Sequence, residues 1–379
     1  MDAIDVVSYF GYILTAWIIV MAIGMAKKDL LQKYGIEIGP LMIMWKKPTS
    51  GSKLERIAKK RVVRICAWIG VALSIGAMVF AYYFLINIVL SILFPQTVRA
   101  QARLIPLLPG LTVVGVHIFY SMIAIGIAIV AHELSHAVVA LSEGIRLKSW
   151  GLAIAFIIPA AFVEPDEEDY KKAKLSSKVK LLAAGSAANV IIGVLALFLL
   201  QQVASQYPLV IGIIHSVNNQ PTPAYLAGLQ KYVPFAIESI NGTVVDGLAT
   251  LTSIIHAHAN ETVNFVLRIF SYNTMSQLDV VLHKPANMSL LGVYINPFPA
   301  PKPSLCTLGS ACIHIPGLLA WFVWINMGLA LINAAPLFIT DGGKIISEIL
   351  GEKRKIISYI IQGATLAILA LAFIASILM

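Results

Sequence analysis

The stretch 115–141 is apolar for long enough to cross a hydrocarbon layer as a helix, which takes about 20 residues. Its second half nevertheless holds His132-Glu133-Leu134-Ser135-His136. Ionisable and metal-binding side chains are costly in hydrocarbon, so such a cluster is expected to face a bundle interior and to mark a functional site. Residues four apart share a helical face, so His132 and His136 direct two imidazoles at one point, with Glu133 beside them as a candidate base. Zinc suits such nitrogens and polarises water.

The rest of the chain agrees with a membrane setting. At 58% hydrophobic and 12% charged residues, with a mean hydropathy of +0.83, it has too little polar surface to cover a soluble core of this size. Apolar continuity predicts six spans, at 8–26, 65–94, 111–141, 181–203, 315–338 and 356–378. The first has no basic residue before it and no small-residue cleavage pattern after it, so it reads as a retained span. The loops after spans one, three and five (27–64, 146–180 and 344–355) hold 22 of the 28 Lys and Arg. By the positive-inside rule they are cytoplasmic, with both chain termini on the opposite side. The net charge of +9 is then mainly a topology signal and an attraction to the anionic headgroups of the bilayer, and no nucleic-acid partner is inferred from it.

Between the spans, the basic loop 27–64 contains a short apolar run, 36–45, suited to the membrane interface. The segment 145–163 is too short to cross and return as helices, and too apolar for a solvated loop. Its aromatic and β-branched content and Pro159 favour a membrane-embedded β-hairpin over a re-entrant half-helix. An acidic run, Glu164-Pro-Asp-Glu-Glu-Asp169, follows. From about 207 to 297 the composition becomes that of a small α+β domain. Asn241-Gly242 is a hairpin turn signal, because both residues tolerate positive φ. Three Asn-x-Ser/Thr sequons, at Asn241, Asn260 and Asn287, fall in this stretch, on the side already read as extracytoplasmic. Cys66 is expected as a buried apolar filler. Cys306 and Cys312 lie in an extracytoplasmic loop, where either a bridge or free thiols are compatible with the sequence.

A catalytic zinc generally takes three protein ligands, so two histidines need a partner. Asp341 is the candidate, in Asn333-Ala-Ala-Pro336-Leu-Phe-Ile-Thr-Asp341-Gly342-Gly343 after the fifth span. Pro336 interrupts the helix and the glycine pair permits close backbone approach. Asp341 is also placed to N-cap the helix that follows; both roles are possible, and the histidine pair favours that of ligand. His117, His215, His256, His258, His283 and His314 are read as structural or solvated.

The sequence resembles the site-2 family of intramembrane metalloproteases, in a PDZ-containing prokaryotic, archaeal-type form. The likeness rests on His132-Glu133-xx-His136, Gly185-Ser-Ala-Ala-Asn189 and Asn333-xx-Pro336-xxxx-Asp341-Gly342, in that order. The stretch Tyr225-Leu-Ala-Gly-Leu229 through Glu238-Ser-Ile-Asn-Gly-Thr-Val-Val245 looks like a PDZ domain. Thr340 and Ser186 stand where the family commonly has Leu and Pro.

The resemblance implies a polytopic α-helical membrane protein of about six transmembrane helices, with the embedded β-hairpin and an extracytoplasmic PDZ-like α+β domain. Its parts would be 1–110 (two helices and the basic loop), 111–206 (first part of the protease core), 207–300 (PDZ-like) and 301–379 (second part of the core). His132, His136 and Asp341 would hold Zn2+, and Glu133 would act as general acid-base. Asn333 and Asn189 would either stabilise the oxyanion and substrate backbone or simply bond helices together. Substrates would be transmembrane proteins cut near the cytoplasmic side of the cell membrane, with the free edge of the hairpin able to pair with an extended segment. From another class, a transporter or channel with an intramembrane His/Glu/Asp ion site would explain the polar residues, but not the three matching motifs.

Overall fold

In a computed structural model the protein is described over residues 3–48, 53–94, 104–110, 112–156, 158–288 and 290–378. The predicted span edge at Leu111, Ile157 of the expected hairpin and Ser289 of the third sequon lie outside these residues. The chain divides into two units, Met1–Val194 with Phe322–Met379, and Leu195–Trp321.

The first unit is built on long apolar helices: α1 (Ala3–Ala26), α2 (Arg61–Leu93), α3 (His117–Ser142), α5 (Leu175–Val203), α6 (His314–Ala334) and α8 (Lys355–Leu378). Among the short helices between them in sequence are α4 (Glu167–Lys172) and α7 (Asp341–Leu350). Among the described residues five helices, α2, α3, α5, α6 and α8, are long and apolar enough to cross a membrane, and the apolar stretch Gly11–Ala26 of α1 is shorter. Much of what they bury is small, beside larger residues such as Ile88, Leu181 and Leu182. Ala124, Ala128, Ala140 and Ala183 are fully enclosed, while Phe119, Ile123, Ile127, Val130 and Leu134 of α3 point outward. Water would not tolerate that inversion. In lipid it is the expected packing, because small residues let helix backbones approach and large aliphatic groups meet acyl chains at no cost.

A four-stranded antiparallel sheet packs beside α3, in the order β1 (Ile36–Gly39), β2 (Met42–Pro48), β3 (Leu147–Ala155), β4 (Ile158–Pro165). The hairpin expected at 145–163 is β3–β4, turning at Phe156, whose φ is +59°. The apolar run 36–45 takes a form that its sequence leaves unassigned. This run is a β-hairpin that extends the sheet through β2–β3 pairing from Met42↔Ala155 to Pro48↔Ser149. Phe156 N–H donates to Leu41 O at 2.7 Å, Trp17 Nε1 donates to Phe156 O at 2.9 Å, and Trp45 meets Trp150 edge to face. Glu164 on β4 accepts from Ser149 at 2.6 Å and pairs with Lys46 on β2 at 2.7 Å and Lys148 at 3.1 Å. These partners, Lys46 first, hold its carboxyl down to about 2. The acidic run then turns into α4, where Asp166 caps the helix and Asp169 forms a two-point ion pair with Arg146.

The second unit carries a sheet ordered β8 (Ser276–Lys284), β7 (Val263–Ser271), β6 (Phe235–Ile240), β5 (Leu209–Ile213), β9 (Val293–Ile295). The turn at Asn241 and Gly242, with φ +48° and +77°, returns β6 to the short strand Thr243–Val244. Phe265, Leu267 and Ile269 alternate inward on β7 and, with Ile237, Leu251 and Leu282, make a core of large side chains. Cys306 and Cys312 are joined as a disulfide. Cys66, expected to be buried, is exposed on α2 beside Val62, Ile65 and Ile69, so it belongs to the outward apolar surface.

Candidate metal centre

One face of α3 presents His132 and His136, both more than nine-tenths buried, as the i, i+4 spacing requires. Asp341 arrives at the first turn of α7. The Thr340 hydroxyl, not Asp341, accepts the Gly343 N–H as the helix cap, and it also donates to Ala335 O at 2.6 Å. Thr340 therefore fills the capping position, which leaves the Asp341 carboxylate to face the histidines. Gly342 and Gly343 make the approach possible. A Cβ on either would collide with the carbonyl of Ala334 or Leu337 at the end of α6, where Pro336 has stopped the helix.

The three side chains meet. Asp341 Oδ2 lies 3.2 Å from His132 Nε2 and 3.1 Å from His136 Nε2, and the three candidate ligand atoms all fall within 4.8 Å of one another. A tetrahedral ion with bonds of about 2.0–2.1 Å needs ligand atoms roughly 3.3 Å apart, so the spacing fits zinc. Three further features agree. His136 Nδ1 donates to Leu181 O at 2.7 Å, which leaves its Nε2 lone pair free. Asn189, fully buried on α5, has its carboxamide 3.1 Å from His132 Nδ1, and its other polar atom has no partner among the described residues. With the carboxamide oxygen turned toward Nδ1–H, His132 also offers a free Nε2. Finally, a Cβ at Gly185 would crowd the Nε2 atoms of both histidines, so glycine on α5 keeps the space beside these candidate ligand atoms open.

Around this centre lies a cavity of about 700 Å³, whose walls include Glu133, Val163, Asn333 and Tyr170. Glu133 follows His132 on α3, and its Oε2 accepts the Val163 N–H of β4 at 2.9 Å. Tyr170 donates to Glu348 at 3.1 Å, and Lys178 pairs with Glu348 at 3.0 Å. Burial, with Glu348 beside it, pushes the Tyr170 phenol above its ordinary value, so this wall is a neutral donor. The structure thus brings His132, His136, Asp341, Glu133 and Asn333 to one cavity and sets Asn189 behind His132. Gly185, Thr340 and Val163 were not singled out as site residues. A glycine four residues before a buried Asn on a span, and a Thr before Asp-Gly-Gly, were the available signals for the first two. Nothing in the sequence marks the Val163 main chain. Elsewhere, His258 pairs with Glu261 and His283 with Asn264, away from any metal-binding cluster among the described residues.

A polytopic helical fold with a buried His-His-Asp centre beside a Glu defines a membrane metallopeptidase. The model of peptidase family M50 matches residues 120–376, and the chain belongs to that family, the site-2 proteases. It is also similar to "Uncharacterized protein MJ0971" of Methanocaldococcus jannaschii, with 27% identity over 316 residues, which are 79% of this chain and 77% of the other.

Proposed function

We propose that the protein is a zinc endopeptidase that hydrolyses peptide bonds within transmembrane segments of membrane-protein substrates, as a step of regulated intramembrane proteolysis. The observation that carries this reading is the buried convergence of His132, His136 and Asp341 beside Glu133 on an otherwise apolar helix. A zinc ion held there supplies Lewis acidity toward a peptide carbonyl and water. Glu133 moves the proton from water to the leaving amine nitrogen. Asn333, half-buried on the cavity wall, offers a donor to the carbonyl oxygen or to the substrate backbone. Asn189 bonds His132 across two helices, the second of the two roles expected for it, and acts by orienting the imidazole.

A helical substrate hides its carbonyls in intrahelical hydrogen bonds and must unwind before one can react. The edge strand β4, running past Glu133, offers main-chain partners to the unwound segment. The active site faces the cytoplasmic side by the positive-inside argument. The second unit acts as an extracytoplasmic PDZ-like filter that favours substrates already trimmed outside. Purified protein should contain one zinc per chain and cleave a single-span substrate, while Glu133→Gln keeps the zinc and loses cleavage by at least about a thousandfold. Zinc with no cleavage of any single-span substrate would favour an ion pathway instead.

A further inference from the structure

The metal cavity has a neighbour. An apolar groove of about 560 Å³ runs between α3 and the sheet, lined by Val130, Leu134, Trp150 and Leu152. Leu134 and Leu152 are exposed, so the groove opens on the outward apolar surface. Cavity and groove share three residues, Glu133, Phe162 and Val163. Two of these are joined by the hydrogen bond from Val163 N–H to Glu133 Oε2. That bond crosses the partition between the outward surface and the metal centre.

The same bond fixes which way β4 faces. Val163 gives its N–H to Glu133 and not to β3, so Val163 and its alternate neighbours direct their main-chain groups away from the ladder. Those neighbours are Pro159, Ala161 and Pro165. The two prolines have no N–H to give, and proline at such an edge position leaves the β3–β4 ladder intact. The outward edge of β4 therefore carries main-chain donors at two residues only, Ala161 and Val163. Ala161 lines the groove, Val163 lines both spaces, and Pro165 lies on the cavity.

We propose that the Val163–Glu133 hydrogen bond is a latch opened by the substrate itself. An extended apolar segment enters along the groove and pairs with β4 at Ala161. It then takes the Val163 N–H for one of its own carbonyls. That exchange joins groove to cavity and releases the Glu133 carboxylate toward the metal centre. The prolines at 159 and 165 confine the pairing to one short register, so the bond presented to the metal is set by main-chain position more than by side-chain identity. This inference rests on the protease reading above.

The test uses the full-length zinc-loaded protein in detergent and a single-span leucine-alanine peptide of about 20 residues with a central Asn-Gly pair. Ala161→Pro removes one edge donor and leaves the ladder and the latch. It should raise KM about three- to tenfold, the worth of one main-chain hydrogen bond, with kcat within about twofold of wild type. Val163→Pro removes the latch. Its zinc should pass to the apolar chelator 1,10-phenanthroline at least about threefold faster than from wild type, whereas Ala161→Pro should lose zinc at the wild-type rate. If wild type cleaves the peptide and Ala161→Pro has an unchanged KM, the edge register is wrong while the protease reading stands. Equal zinc loss from wild type and Val163→Pro overturns the latch. A zinc-loaded wild type that cleaves no single-span peptide removes the protease reading, and this inference with it.

Discussion

The two units keep opposite kinds of residue inside. In the second, Phe265, Ile237, Leu251 and Leu282 fill the interior, and the strands alternate inward and outward as in a water-soluble domain. In the first, alanines are prominent between helices, beside a few buried large residues such as Ile88, Leu181 and Leu182, while many isoleucines, leucines and phenylalanines face outward. Burying large apolar groups gains free energy only against water, so a core made by that means cannot be copied in lipid. The membrane unit coheres instead through close approach of small residues and through polar contacts, such as the buried Ser358–Gln362 pair of α8 bonded to the exposed Ser347 of α7. Close packing also serves chemistry. The side chain missing at Gly185 keeps space open beside both histidines, and the side chains missing at Gly342 and Gly343 let Asp341 approach them.

The contrast predicts opposite sensitivities. Truncation should hurt the second unit most: Phe265→Ala is expected to cost about 3–5 kcal/mol by loss of burial and a residual cavity. Limited proteolysis of that unit, against urea, would measure it. Enlargement should hurt the membrane unit: Ala183→Leu, at a fully buried position on α5, is expected to cost about 1–3 kcal/mol by overpacking. Its reverse, Ile127→Ala on the outward face of α3, should stay within about 0.5 kcal/mol, as read by thermal unfolding in one detergent. If Ile127→Ala were the more damaging of the two, the assignment of inside and outside in this unit would be wrong.

The sheet of the membrane unit lies between these cases, since an ion cluster ties its strands. Glu164 has its folded pKa held down to about 2, below the ordinary carboxylate range. Its contribution is therefore full above about pH 5 and fades as pH falls toward 2. Trp45 and Trp150 fluorescence, which reports their edge-to-face contact, should be steady from about pH 7 to 5 and change below, and Glu164→Gln should flatten that response. This is the smallest effect of the set.

These contrasts also explain which features were legible from residues alone. The histidine pair and the spans follow from periodicity and length, which act within one helix. The hairpin at β3–β4 was visible because its segment was too short for any other membrane-compatible form. Pairing of β2 with β3 was not, because Met42 and Ala155 are brought together by tertiary contact and an apolar ten-residue run reads equally well as interfacial. Cys66 failed for a related reason: an apolar residue on a span is read as buried by the rule for soluble proteins, and in lipid that rule reverses. The capping role of Thr340 shows the same limit at closer range. Thr340 and Asp341 are both good caps, and only the close approach of α7 to the end of α6 decides which one caps and which one faces the histidines.

The most direct test of the metal centre is zinc content, with X-ray absorption at the zinc edge, for wild type, Asp341→Ala and Gly185→Ala purified side by side. Wild type should hold one zinc per chain, with two imidazole nitrogens and a carboxylate oxygen at about 2.0–2.2 Å, and both variants should lose most of it. Full zinc with unchanged ligand distances in Asp341→Ala would contradict the account.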